Sequence, residues 1–203
     1  MGYLVLAFAI SALLYQGWKL TSRSAYESAE YVVLQQAGDF ELRKYPDLML
    51  VTTDMSTGVA DRESGRDGSF GRLFRYISGG NDSKQKVAMT TPVFMERQPE
   101  SASDEPNARM GFVLPKEVAE SSIPEPASAN VEVTKRQGGT FAVIRFSGRM
   151  NPESYTDNMS KLTEWLEGES LQADGAPEVA GYDPPWTPGS LRRNEILVRV
   201  KTR

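Results

Sequence analysis

The chain has 203 residues, 39% of them hydrophobic and 25% charged, a size and balance that suit one globular domain with an appendage rather than two full domains. A net charge of -4 provides no broad basic field, so nucleic acid is not an expected partner, although Arg72, Arg75, Arg192 and Arg193 could form a local patch. There is no cysteine and no histidine, which excludes disulfides, thiolate nucleophiles, Ser-His-Asp triads and His-bound zinc, and leaves any proton transfer to a carboxylate, Lys or Tyr with a shifted pKa.

Residues 1–18, MGYLVLAFAISALLYQGW, carry no charged side chain. As a helix this run spans roughly 25 Å, close to the lower limit for crossing a hydrocarbon core, and it reads as an N-terminal hydrophobic anchor or signal. The rival readings are a cleaved signal and a helix packed on the protein. Lys19 and Arg23 favour a cytoplasmic domain by the positive-inside rule, whereas the usual direction of an N-terminal signal favours export, so both sides stay open. Residues 19–30 form a polar spacer, and the folded domain is expected over 31–203.

Within that domain YVVLQQAGDFELRKYP predicts two strands around the turn pair Gly38-Asp39, and DLMLVTTDM predicts a third. In FGRLFRYISGG, Phe70, Leu73, Phe74 and Ile77 fall at i, i+3, i+4 and i+7, one face of a helix with Ser69 as N-cap and Gly79-Gly80 as its stop. VAMTTPVFM and MGFVLP read as strands, and SSIPEPASAN marks a midpoint linker. VEVTKRQGGTFAVIRFSG then predicts two strands around Gly138-Gly139. A helix follows with Asn151 as N-cap and Pro152 as its first residue, its inner face being Tyr155, Met159, Leu162 and Leu166. EVAGYDPPW and EILVRVK supply two more strands. Each half therefore reads strand, strand, helix, strand, strand, an internal duplication. The expected fold class is α+β: a duplicated, distorted antiparallel β-barrel of about eight strands with two helices.

Two longer strings narrow the reading. GGNDSKQKVAMTTPV (79–93) and GYDPPWTPGSLRRNEI (181–196), with MGFVLP, the IPEP linker and the RFSG strand end in matching order, resemble the SOUL haem-binding protein family over about 31–200. That family's fold is related to the effector-binding domains that resemble the gyrase inhibitory protein. The resemblance implies a haem or other tetrapyrrole cofactor bound without covalent attachment in a hydrophobic groove beside the first helix, in a carrier, buffer or scavenger. The groove would draw on Leu73, Phe74, Ile77 and Met89, with Arg72 and Arg75 meeting the propionates. Without histidine the iron would be left to Tyr, Met, a carboxylate or no protein ligand. The bland reading is that the apolar helix face packs on the sheet while both arginines point to solvent.

In Arg192-Arg193-Asn194-Glu195 the strand period places Arg193 and Glu195 on one face and Arg192 and Asn194 on the other. A structural reading has the cluster pin the last strand, with Asp183 as partner. A functional one puts Glu195 in the barrel mouth as a seat for an amphipathic cation or, with a raised pKa, as the general base of a small hydrolase. Pro184-Pro185 should end a strand, with a cis bond possible, and Trp186 is free to cover the core. No Walker loop, dinucleotide fingerprint, zinc-protease helix or calcium loop is present, and neither catalytic nor metal-binding residues are assigned.

Overall fold

The computed structural model describes residues 26–55, 68–97, 108–184 and 186–201; the apolar run 1–18 lies outside them. Strand β1 (Glu27–Ser28) falls in the stretch read as spacer, and Ala29 beside it is buried in the core. Next come β2 (Val32–Ala37) and β3 (Phe40–Tyr45), joined by Gly38, whose φ of 62° meets the left-handed geometry expected of the Gly38-Asp39 turn. After β4 (Leu48–Met55), helix α1 (Ser69–Ile77) begins one residue earlier than expected. Gly68, in left-handed conformation, is its N-cap, while Ser69 is already helical and turns its hydroxyl to Met110 Sδ. The expected stop at Gly79-Gly80 forms, with Gly80 N–H donating back to Arg75 O at 2.8 Å.

VAMTTPVFM divides into β5 (Thr90–Thr91) and β6 (Val93–Arg97) because Pro92 has no N–H for the ladder; β5 pairs in parallel with β1. The first half ends with β7 (Ala108–Val113) and a five-residue helix, α2 (Lys116–Glu120), which sequence periodicity does not signal. The second half supplies β8 (Glu132–Arg136), β9 (Gly139–Ser147), α3 (Pro152–Gly168), β10 (Glu178–Gly181) and β11 (Arg193–Arg199). Helix α3 starts as expected: Asn151 accepts from Ser154 N–H, Ser154 returns the bond in a capping box, and Pro152 opens the first turn.

All strands except β1 and β5 form one antiparallel sheet of nine in the order β2-β3-β9-β11-β10-β6-β7-β4-β8. Two expectations are corrected. The sheet is open rather than a closed barrel, with β2 and β8 as its edges and no pairing between them among the described residues, and the described residues hold three α-helices rather than two. Leaving β2 aside, exchanging β3 with β8, β4 with β9, β6 with β10 and β7 with β11 reverses the strand order onto itself. The same exchange carries α1, packed on β4 and β7, onto α3, packed on β9 and β11.

Strand register decides what lies on each face. Ile144, Ile196, Val179, Met95, Met110 and Thr53 are successive partners across six strands and all face the helices. One residue along, Arg145, Glu195, Ala180, Phe94, Gly111, Thr52 and Glu132 form the matching row on the helix-free face. Two clusters, around Leu73, Phe112 and Val51 and around Leu162, Ile144 and Ile196, fill the space beneath α1 and α3. A third, with Tyr45, Phe94, Phe141 and Leu197, fills the helix-free face, about which the sheet curls.

Candidate functional site

The helix spacing expected to line a groove is divided by the fold. Leu73 and Ile77 are buried against Val51, Met110 and Phe112, and Met89 packs on the same cluster, so these three lie beneath α1 and not on its open side. Arg72 is tied to β4, donating from Nε to Thr53 Oγ1 at 2.9 Å and from Nη2 to Asp54 O. Phe74 is 51% exposed and Arg75 is exposed beside it. The Phe74 ring stacks on Phe70, 6.1 Å between centroids and 13° from parallel, and Phe70 in turn meets Phe112 edge-on, so the exposed ring is held from below. Nothing lies within 4 Å of the place a Cβ would take on Gly71, which leaves the outer side of this helix open. Helix α1 therefore offers one flat apolar surface with a cation beside it.

Glu195 lies on the opposite face of the sheet and is completely buried. Arg193 shares its face, as the strand period requires, and Asp183 accepts from the Arg193 backbone N–H at 2.6 Å. The partner that alternation could not reveal is Arg43, 152 residues away on β3, also completely buried. Arg43 donates from Nη1 to Glu195 Oε2 at 2.7 Å and from Nη2 to Oε1 at 3.0 Å, a bidentate pair. Arg193 adds bonds from Nε and Nη2 to Oε1, and Tyr182 donates its hydroxyl to Oε2 at 2.9 Å. Arg43 further reaches Glu41 Oε2 and Tyr45 Oη and lies over the ring of Tyr31.

Burial alone would push the Glu195 pKa up, but the hydrogen bond and charge of Arg43, joined by Arg193, hold it below its ordinary value. Burial pushes the Tyr45 hydroxyl up to about 12 and raises that of Tyr182 as well. A general base needs a carboxylate with a raised pKa and an accessible lone pair; a seat for a guest cation needs an unspent charge. Glu195 has its charge spent on two guanidinium groups and its oxygens enclosed by five hydrogen bonds.

The helix-free face opens instead at a cleft of about 330 Å³ bordered by strands of both halves, with Leu50 and Phe94 in its lining. Arg136 and Glu178 form one wall, Nε and Nη2 donating to Glu178 Oε2 at 2.8 and 2.6 Å. Two other surface depressions among the described residues lie beside Glu125–Val133 and between β9 and α3, and neither takes a residue from α1. Among the described residues no helix is long and apolar enough to cross a membrane.

Two antiparallel half-sheets with a helix apiece, joined edge to edge and curled about a face of ion pairs, define an α+β domain of duplicated topology. Comparison with known proteins takes this one step further. The chain belongs to the SOUL heme-binding protein family, whose model matches residues 26–199. Its curated relatives include Heme-binding protein 1 of Xenopus laevis, 27% identical over 77% of this chain and 81% of the relative. Heme-binding protein 1 of Mus musculus is 31% identical over 62% of this chain and 66% of its own, and Heme-binding protein 2 of Homo sapiens is 26% identical over 74% and 73%. Among solved structures, the EcmrR C-terminal domain superposes with a TM-score of 0.58 at 12% identity, covering 81% of this chain and 98% of its own. A hydrolase from Listeria innocua reaches 0.57 at 14%, covering 83% and 94%. At such identities the two structures share the fold alone.

Proposed function

We propose that this protein binds haem or a related tetrapyrrole non-covalently and serves as its carrier or buffer, the ring lying against the outer face of α1. The observation that carries the reading is Phe74, a large aromatic ring left half in solvent, backed in parallel by Phe70 and flanked by the exposed Arg75. Membership of a family described by haem binding, with relatives named for it, supports the same ligand. The residues present fit such a guest: Phe74 and Phe70 suit the apolar macrocycle, Arg75 suits a propionate, and the open side of Gly71 leaves room for a flat ring. Leu73, Ile77 and Met89 would support this surface from beneath, and Arg72 would hold the helix to β4 while lending its charge.

The chain has no imidazole to offer the iron, so contact area carries the affinity. Covering roughly 400 Å² of ring at about 25 cal/mol/Å² supplies on the order of 10 kcal/mol before association costs. The tetrapyrrole is cargo in this reading, and the uncharged run 1–18 would keep such a carrier at a membrane or direct its export. Titrating the full chain with hemin tests the reading. A saturable shift of the Soret band is expected, with Phe74→Ala and Arg75→Ala each weakening binding by about tenfold. A wild-type spectrum equal to that of free hemin at every ratio overturns it.

A further inference from the structure

The cleft on the helix-free face has a feature that tetrapyrrole binding on α1 does not use. Three buried side-chain nitrogen or oxygen atoms among the described residues have no hydrogen-bond partner, and two of them, Arg136 Nη1 and Arg109 Nε, belong to residues that line this cleft. A guanidinium N–H held away from water without an acceptor costs stability, so each is a donor that an incoming acceptor would satisfy. Arg136 is the better placed. Its side chain is 9% exposed, and Nε and Nη2 are both spent on Glu178, which leaves Nη1 as its unspent edge. Arg109 Nε instead stands 3.2 Å from Asp54 Oδ1, an ion pair without hydrogen-bond alignment, and its Nη2 holds Glu132.

The charge beside Arg136 has the same sign. Arg199 also lines the cleft, and it lies over Phe141 at 4.7 Å while Arg136 lies over the same ring at 4.3 Å. Glu178 is the one carboxylate bonded to either guanidinium. Arg199 donates to the carbonyls of Gly138 and Gln137, each at 2.6 Å, and joins no ion pair among the described residues. Two cations on one ring with one carboxylate leave a positive excess. The other acidic residues of the lining, Glu96 and Asp174, are exposed, and Glu96 stands directly across from Arg109. Exposed charge is screened by water and salt, so these two offset little of the excess. The rest of the lining limits the shape of a guest. Leu50 and Phe94 supply apolar surface, Gly111 adds no side chain, and the hydroxyls of Thr52 and Thr134, 3.3 Å apart, can turn toward an acceptor. A volume of about 330 Å³ is at the small end of ligand pockets and suits a short chain rather than a macrocycle.

We infer that this cleft is a second ligand site, taking a short aliphatic monocarboxylate whose head accepts from Arg136 Nη1 and balances Arg199, and whose hydrocarbon lies on Leu50 and Phe94. It is separate from the α1 surface, since α1 packs on the opposite face of β4 and β7.

The test titrates the full chain with hexanoate, following binding by calorimetry and by ligand-observed NMR. Hexanol serves as the uncharged analogue, hexylammonium as the charge-reversed one and acetate as the head alone. Saturable binding of hexanoate, at least tenfold tighter than that of any of the other three, is expected. Arg199→Gln should bring the hexanoate affinity down at least tenfold, toward that of hexanol. Arg136→Lys, which keeps the charge but lacks Nη1, should do the same. Each variant is titrated at a temperature where its circular dichroism spectrum matches the wild type, and should Arg136→Lys fail to fold, Arg199→Gln decides alone. One equivalent of hemin should leave the hexanoate affinity unchanged. No saturable binding, binding of any analogue as tight as that of hexanoate, or full retention of affinity in Arg199→Gln would overturn the assignment, and competition by hemin would overturn the claim of a separate site. A failure of hemin to bind leaves this result intact, because the two titrations read different faces of the sheet.

Discussion

Arg136 on β8 and Glu178 on β10 form an ion pair although β6, β7 and β4 lie between their strands in the sheet. Only a curled sheet brings them together, and their side chains are 9% and 13% exposed. The guanidinium also lies over Phe141 at 4.3 Å, Phe94 at 4.5 Å and Tyr45 at 5.2 Å, which belong to three further strands. Where a barrel would close by backbone pairing, this fold is latched by one side chain. Arg136→Met should cost about 3–5 kcal/mol in urea unfolding by leaving Glu178 buried without its cation. Arg136→Met combined with Glu178→Leu should regain most of that loss, because an apolar pair carries no desolvation cost.

The Glu195 centre predicts a pH dependence. Its folded pKa is held below the unfolded value by Arg43 and Arg193, so its stabilisation is complete above about pH 5 and is lost as pH falls through the lowered folded value. Tyr182 and Tyr45 stay protonated throughout that range, and Arg43 and Arg193 stay charged. Glu195→Gln should therefore destabilise by about 3–5 kcal/mol at neutral pH. The gap from wild type should stay level down to about pH 5 and narrow in stronger acid, as read from urea midpoints across the pH range.

At Gly138 the turn between β8 and β9 crosses the one between β3 and β4. A Cβ there would meet the backbone of Pro46 at 2.5 Å and of Asp47 at 2.7 Å, and the Gly138 N–H donates to Asp47 Oδ1. Neither backbone can yield without moving both turns. Gly138→Ala should lower the melting temperature by several degrees in a thermal scan, whereas Gly71→Ala, which meets nothing, should leave it level or raise it.

Adjacent residues of α1 should separate stability from binding. Leu73→Ala empties a fully buried position and should cost about 2–5 kcal/mol of stability. Phe74→Ala removes a half-exposed ring and should change the unfolding midpoint little while weakening hemin binding. Unfolding curves and Soret titrations of the same two variants give all four values.

Local signals were legible where one residue decides a local conformation: Gly38 in its turn, Asn151 and Pro152 at the start of α3, Gly79-Gly80 at the end of α1. The period of two also placed Arg193 and Glu195 on one face. Alternation says which face a side chain takes but not which distant strand lies across from it, so Arg43 opposite Glu195 and Arg136 opposite Glu178 were out of reach. In α1 the spacing of Phe70, Leu73, Phe74 and Ile77 suggested one buried stripe. The buried stripe is Ser69, Leu73, Tyr76 and Ile77, rotated from the expected one, with Tyr76 donating its hydroxyl to Pro124 O at 2.8 Å. That rotation turns Phe74 outward, and the acceptor for Tyr76 lies 48 residues away, beyond what the helix's own spacing can reveal.

The strand order is the same from either end, yet its two helices do not show solvent the same thing. Helix α1 offers Phe74, whereas the outward side of α3 carries Glu153, Asp157, Lys161, Glu164 and Glu167. If hemin docks on α1 as proposed, its uptake should level off at one equivalent per polypeptide rather than two.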